Sequence, residues 1–287
     1  MLKAMVKSLK RGCVTQKEIA PNLPDEAIGL PYIEAKEPCQ CDECKNLQVI
    51  CPTGAITTRD SAQDRAQEMK EGDTDTNITD PKADEKPSNK YSTIELDLGK
   101  CIACGLCIET CPNSIIKRDA RTRTARFNRD DLILSNKKNE ATAADTEALS
   151  SNRGTPPFKN SVAVRVVSTG CSACDLEVNA AFNPIFDLER FGVQLVASPR
   201  MADILVVTGP CPKGMHEALL RTWQAMPEPK RVIAVGSCAI SGTVHAGGYA
   251  EANGAGKILP VDVDLFIPGC PPHPWSIVQG ILSVMGR

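Results

Sequence analysis

The cysteines are the residues of this sequence whose spacing most directly indicates chemistry. There are 14 in 287 residues, and all but Cys13 fall into three groups, at 39–51, 101–111 and 171–270. This density exceeds average usage but stays below that of a small secreted disulfide scaffold. Clustered thiolates at short spacing are typical of metal or iron–sulfur ligands in a reducing compartment.

The middle group is the most regular. From Cys101 to Pro112 the sequence follows C-x2-C-x2-C-x3-C-P, which is the bacterial ferredoxin pattern. In that pattern three thiolates hold one cubane, and the fourth cysteine begins a helix and binds a second cluster. Zinc is the alternative, because C-x2-C pairs also form tetrahedral zinc sites. Four cysteines so close together and followed by proline favour a cubane.

An imperfect copy of this pattern precedes it. Counting back from Cys51, which is also followed by proline, keeps Cys44 and Cys41 in register, whereas Leu47 stands at the third position and an additional Cys39 precedes the run. The two runs together resemble a two-cluster ferredoxin-type domain with one damaged loop. The intact and imperfect runs predict one complete site and one incomplete site.

Ligand crossover between the two runs would divide their cysteines between two clusters. The complete cluster would be held by Cys51, Cys101, Cys104 and Cys107. The other site has Cys41, Cys44 and Cys111, and leucine cannot supply the missing thiolate. Three outcomes stay open: a four-iron cluster completed by Cys39, a three-iron cluster, or no cluster. Completion by Cys39 is our preferred hypothesis, because this residue lies only two positions before Cys41.

The elements that position the third group of cysteines have the rhythm of a parallel α/β sheet. Short apolar, β-branched runs predict strands, and the segments between them predict helices. The predicted strands are Val162–Val167, Val193–Ala197, Ile204–Thr208, Val232–Val235 and Leu265–Ile267, and the predicted helices are Asp175–Asp187, Lys213–Met226 and Pro274–Met285. An open, flavodoxin-like doubly wound sheet fits best, and its ligands bind at the carboxyl edge of the strands. The cysteines that follow these strands are Cys171, Cys174, Cys211, Cys238 and Cys270.

Two polar stretches divide the chain into domains. Residues 59–90 and 135–160 hold too few apolar side chains to offset their ordering entropy. We therefore predict an N-terminal amphipathic extension at 1–30, and a ferredoxin-like α+β domain at 31–134 with a polar insertion at 59–90. A linker at 135–160 and the α/β domain at 161–287 would follow.

Charge and hydropathy exclude several classes. With 33 basic and 35 acidic residues the chain lacks the basic balance of a nucleic-acid-binding protein. No apolar stretch reaches the length of a membrane span, and the first thirty residues lack the apolar core of a signal peptide. Glycines near the strands lack dinucleotide-binding or P-loop spacing, so no nucleotide site is predicted.

Residues 162–286 resemble the small subunit of energy-converting [NiFe]-hydrogenases, whose fold also occurs in the cluster-bearing, quinone-adjacent subunit of respiratory complex I. The segments that carry this resemblance are TGCSACDLEVNAAFNPIFDLERFG, PRMADILVVTGP, MPEPKRVIAVGSCAISG and IPGCPPHP. The resemblance implies a proximal [4Fe–4S] cluster on Cys171, Cys174, Cys238 and Cys270, with Cys211 matching no family ligand. Complex I proteins are expected to have adjacent cysteines where this chain has a spaced pair, which favours the hydrogenase branch. The N-terminal block, with its opening KSLKRGCVT, resembles the ferredoxin-like subunit of formate hydrogenlyase-type complexes.

The resemblance implies an electron-transfer subunit with three iron–sulfur clusters. It would exchange electrons with a NiFe-bearing large subunit, where protons are reduced or hydrogen is oxidised, and with a soluble donor such as a ferredoxin or a formate dehydrogenase module. Membrane subunits would hold the complex at the cytoplasmic face.

Glu177 matches an acidic family position, and we weigh a proton relay equally with a helix first-turn acid that complements the dipole. Two alternatives stay open: a subunit of a complex I-like quinone or sulfur-compound oxidoreductase, and a free-standing ferredoxin-like carrier or metal-stabilised interaction protein.

Overall fold

The computed structural model of the chain describes residues 21–34, 44–60, 91–111, 115–136 and 158–287. Residues 1–20 of the predicted N-terminal extension, Cys39, Cys41 and most of both polar stretches lie outside the described residues, as does the side chain of Cys44. The division into an extension, two domains and a linker therefore stays a prediction.

In its described residues, the N-terminal half combines two small antiparallel sheets with two short helices. One sheet pairs β1 (Leu30–Ile33) with β4 (Ile116–Asp119), and the other has the order β2-β3-β5, with β2 at Ile56–Asp60, β3 at Tyr91–Asp97 and β5 at Ile133–Ser135. The helices are α1 (Cys44–Ile50) and α2 (Leu106–Thr110). This composition agrees with the α+β prediction, and the ferredoxin-like arrangement as a whole stays a prediction.

The core of this half explains the third position of the imperfect cysteine run. Leu47 is 1% exposed and packs with Ile56, Ile94 and Leu96, which are equally buried. Burying a leucine side chain contributes about 2 kcal/mol. The residue that replaces a cysteine therefore serves as a core side chain of α1.

The C-terminal half is a five-stranded sheet in which every neighbouring pair is parallel. Its strands are β6 (Val162–Ser168), β7 (Val193–Leu195), β8 (Ile204–Thr208), β9 (Arg231–Val235) and β10 (Leu265–Ile267). Their order across the sheet is β10-β9-β8-β6-β7. Numbered from β6, this is the flavodoxin-like order 2-1-3-4-5. The prediction of a doubly wound parallel sheet is confirmed.

Three helices connect these strands and a fourth follows β10, and this set of helices differs from the prediction at two main places. They are α3 (Ala173–Ala181), α4 (His216–Ala225), α5 (Ser237–Ser241) and α6 (Pro274–Val284). The predicted helix Asp175–Asp187 was too long: α3 ends at Ala181 because Pro184 lacks an amide hydrogen and disfavours helical geometry at Asn183. Helix α5 was missed, because five residues are too few to show a helical period.

Both faces of the parallel sheet are covered. Ile204, Val206 and Ile233 pack with α3 and α6, whereas the alternate residues Leu205 and Val207 belong to the core that includes α4 and the N-terminal half. Such continuous burial of β8 is typical of a central parallel strand. Within the described part of the chain no helix is long and apolar enough to cross a bilayer.

Candidate iron–sulfur sites

Four cysteines of the N-terminal half line one pocket of about 350 Å³, part of it open to solvent. Cys51 directly follows α1, while Cys101 and Cys104 lie in the loop before α2 and Cys107 is on that helix. The pocket is otherwise lined mainly by apolar side chains and backbone, including Ile56. The structure thus brings together the four cysteines that ligand crossover assigns to the complete ferredoxin-type cluster.

The thiols of this pocket interact electrostatically and raise one another's pKa. Burial, reinforced by the charges of Cys107, Cys51 and Cys104, raises the pKa of Cys101 to about 12. Burial, followed by the charges of Cys104 and Cys51, raises the pKa of Cys107 to about 11. Like charges oppose each other's ionisation at short range, and a bound cation would relieve that opposition.

Hydrogen bonds to sulfur act in the opposite direction. Burial tends to raise the pKa of Cys51, but hydrogen bonds from Thr53 and from backbone N–H groups outweigh it and lower the pKa. The backbone N–H of Ala55 donates to Cys51 Sγ at 3.2 Å, and that of Ala103 donates to Cys101 Sγ at 3.3 Å. Such bonds stabilise thiolates and are a recognised influence on cluster potentials.

The second ferredoxin-type site is described only in part. Cys111 is 6% exposed and its sulfur accepts a hydrogen bond from the N–H of Ile115 at 3.3 Å. It does not line the pocket described above. Since the remaining candidates, Cys39, Cys41 and the Cys44 thiol, are outside the described residues, a cluster there stays a prediction.

The strand-end cysteines of the C-terminal half share one position relative to their strands. Cys171, Cys211, Cys238 and Cys270 each lie three residues past the end of a strand, of β6, β8, β9 and β10 respectively. Cys174 lies in the first turn of α3. All five therefore gather at the carboxyl edge of the sheet, as predicted, which is where doubly wound folds bind ligands.

Four of these five thiols form one group. Burial raises the pKa of Cys174 to about 12, with further contributions from the charges of Cys270, Cys171 and Cys238. Burial also raises the pKa of Cys270, again with contributions from Cys238 and Cys171. Cys174 and Cys238 are 6% and 8% exposed, whereas Cys171 and Cys270 are exposed. These are the four residues that the family resemblance nominates.

Cys211 differs from this group in its surroundings. It is fully buried, and its backbone N–H donates to Glu251 Oε1 at 3.1 Å. Burial, followed by the charge of Glu251, raises the pKa of its thiol to about 12, and the only cysteine that contributes is Cys238. The surroundings of Cys211 thus include only one of the four grouped thiols, Cys238.

Glu177 and His273 lie near the same edge. Burial raises the pKa of Glu177, which is half-buried on α3; a proton relay through it stays a prediction. His273, the N-cap of α6, accepts a hydrogen bond from the Trp275 N–H through Nδ1 at 3.2 Å. A helix cap accounts for this histidine.

One serine hydroxyl joins the two halves between their cysteine groups. Ser237 Oγ donates to the carbonyl oxygen of Cys101 at 2.6 Å and lies 3.2 Å from that of Gly269. Ser237 directly precedes Cys238, and Gly269 directly precedes Cys270. Nothing in the sequence signalled this contact, because Ser237 and Cys101 are 136 residues apart.

The donor set fits iron–sulfur chemistry. All ten cysteines with described side chains are free thiols. No three cysteine, histidine or acidic side chains among the described residues converge closely enough to hold a single ion. Cubane ligands need not converge so, because each of the four thiolates binds a different iron.

Comparison with known proteins defines the class to which this fold and these cysteines belong. Residues 171–284 match the family "NADH ubiquinone oxidoreductase, 20 Kd subunit", and residues 94–117 match the "4Fe-4S binding domain". The chain belongs to the former family and also carries a 4Fe–4S binding domain. The predicted resemblance to hydrogenase and complex I subunits is therefore confirmed.

The relatives include both hydrogenase-type and complex I-type subunits. Formate hydrogenlyase subunit 7 of Escherichia coli is 44% identical over 42% of this chain and 47% of its own length. Probable membrane-bound hydrogenase subunit mbhJ of Pyrococcus furiosus is 45% identical over 42% of this chain and 72% of its own length. An NADH-quinone oxidoreductase subunit of Rubrobacter xylanophilus is 43% identical over 41% of this chain and 47% of its own length. The chain thus spans about half the length of two of these three relatives.

Proposed function

We propose that this chain is an electron-transfer subunit of a membrane-associated [NiFe]-hydrogenase. It would relay electrons between a soluble donor and a NiFe centre held by a partner large subunit. The observation that carries the proposal is the pair of four-thiol groups whose loops meet at the Ser237 hydroxyl. Hydrogenlyase and hydrogenase relatives at 44% and 45% identity support the choice of branch.

Each of the three proposed clusters would be held by its own set of four cysteines. Cys51, Cys101, Cys104 and Cys107 would hold one, and Cys171, Cys174, Cys238 and Cys270 the proximal one. A third would be held by Cys41, Cys44, Cys111 and Cys39. Each cluster, when bound, supplies one-electron redox chemistry. The chain itself buries part of each thiol set and donates hydrogen bonds to sulfur. It also holds the first two sets on loops that are hydrogen-bonded to each other.

Metal content provides the first test. Anaerobically purified protein is expected to contain roughly eight to twelve iron atoms per chain, with equivalent acid-labile sulfide, if each complete cluster is a cubane. Exchanging Cys104 for Ser should remove about four of these, whereas exchanging Ser283, a serine on α6 remote from every cysteine in sequence, for Ala should remove none. Stoichiometric zinc with little iron would refute the proposal.

A complex I-like function is the second candidate, and the NADH-quinone oxidoreductase relative at 43% identity favours it. The two functions differ in the partner that oxidises the chain. Purification of the native complex, followed by assays of hydrogen evolution and of quinone reduction from the same reduced sample, separates them. Hydrogen evolution with a co-purifying nickel-containing subunit supports the hydrogenase. Quinone reduction without nickel supports the alternative, and purification without partner subunits indicates a free-standing carrier.

A further inference from the structure

A threonine hydroxyl lies against one of the strand-end thiols. Thr243 Oγ1 donates to Cys238 Sγ at 3.1 Å, and the two residues are only 6% and 8% exposed. Among the described residues, no other side-chain hydroxyl lies within hydrogen-bond distance of any of the four thiols at this edge of the sheet. The contact therefore distinguishes Cys238 from Cys171, Cys174 and Cys270.

The backbone at Thr243 is held in a conformation that its residue type disfavours. Its φ is +41°, and the preceding Gly242 has a φ of +79°. A β-branched residue in this left-handed region is strained, and glycine would be the residue of least cost. Such strain persists where the surroundings impose it, and it is concentrated at functional sites.

The turn places the hydroxyl over the sulfur. Helix α5 ends as the N–H of Gly242 donates to the carbonyl of Cys238 at 2.8 Å, and the chain then reverses through the two left-handed residues. Glycine at position 243 would relieve the strain but would lack the hydroxyl. The residue that is strained at this position, Thr243, is therefore the same residue that supplies the hydroxyl in contact with the Cys238 thiol.

From this geometry we infer that Thr243 is a positioning residue that raises the reduction potential of the cluster held by Cys171, Cys174, Cys238 and Cys270. The inference rests on the proposed function, because it requires that cluster. Reduction adds one electron, and hence one negative charge, to the cluster and its thiolates. A hydrogen bond to a thiolate sulfur stabilises the more negative, reduced state, and it does so more strongly where water is excluded.

Potentiometric titration of the anaerobic full chain, monitored by EPR, tests this role. In the Thr243→Val variant the midpoint potential of this cluster should shift to more negative values, while that of the cluster at Cys51 and Cys101 stays unchanged. Thr243→Ser should restore the parent potential. Pulsed EPR should show an exchangeable proton coupling in the parent that the valine variant lacks. The matched control is Thr222→Val on α4, where the hydroxyl donates only to the Ala218 carbonyl.

A glycine variant separates the hydroxyl from the strained backbone. Thr243→Gly relieves the left-handed strain and lacks the hydroxyl, so it should lower the potential as valine does. An unchanged potential in both variants, in protein that retains the cluster, would overturn the inference and leave the proposed function standing. Loss of the cluster in both would also overturn it, because Thr243 would then be needed for binding. Absence of the cluster from the parent would refute the proposed C-terminal site itself.

Discussion

At the scale of single residues, Cys238 and Cys211 show how two buried thiols at one sheet edge can differ in role. Burial raises the pKa of Cys238, the Thr243 hydrogen bond opposes this, and the charges of Cys171 and Glu251 add to it. Cys211 is influenced by Glu251 and Cys238 but by none of the other three grouped thiols. Cys238 therefore belongs to the group of four, and Cys211 resembles a small core residue.

Alanine variants of these two cysteines should have different effects. Cys238→Ala should abolish the EPR signal of the C-terminal cluster and lower the iron content by about four atoms per chain. Cys211→Ala should retain both and reduce the free energy of unfolding by about 1 kcal/mol, because a small buried group is lost. EPR, iron analysis and denaturant unfolding of the two variants provide the comparison. The reverse pattern would show that the residues carried over from the family are wrong at this loop.

At the scale of elements, the strand-end loops were the most predictable part of the fold. The predicted strands Ile204–Thr208 and Leu265–Ile267 are found with the same bounds, because buried parallel strands consist of nearly continuous apolar residues that are easily identified in the sequence. The five cysteines that follow the strands were expected at one edge for the same reason. Helix α5 could not be predicted, because five residues are too few to show a helical period. The turn after it could not be predicted either, because it places a β-branched residue, Thr243, in the left-handed region that such residues disfavour.

The close approach between two strand-end loops gives a prediction at this scale. Gly236, directly after β9, has a φ of +91°, and a Cβ at this position would clash with Cys174 Sγ. Gly236→Ala should therefore displace a grouped thiol, abolish the EPR signal of the C-terminal cluster and destabilise the domain. Gly214→Ala is the matched control, because nothing lies within 4 Å of its added Cβ and its φ is not positive. If Gly236→Ala loads iron normally, the placement of Cys174 is wrong.

At the scale of the whole molecule, the two halves are connected by direct hydrogen bonds, some of them beside the cysteine groups. Besides Ser237, the Ser241 hydroxyl donates to the Gly99 carbonyl at 2.7 Å, and the backbones of Arg126 and Phe266 exchange hydrogen bonds of 2.9 and 2.8 Å. Buried side chains of both halves belong to one core cluster. This junction involves residues far apart in the chain, so the two cysteine patterns could be recognised separately but their connection could not.

The junction predicts an effect on electron transfer that stability alone would not explain. Ser237→Ala removes a hydrogen bond that links the Cys101 backbone to the residue preceding Cys238, so it should slow electron transfer between the two clusters and weaken their magnetic interaction. Ser241→Ala removes a bond at the same junction that reaches no cysteine backbone. Each variant should lose about 1–3 kcal/mol of stability, because a backbone carbonyl loses its donor. Flash photoreduction followed optically gives the transfer rate, and EPR of the reduced protein gives the interaction. Equal rates in the two variants, with both clusters present, would show that Ser237 contributes to stability only.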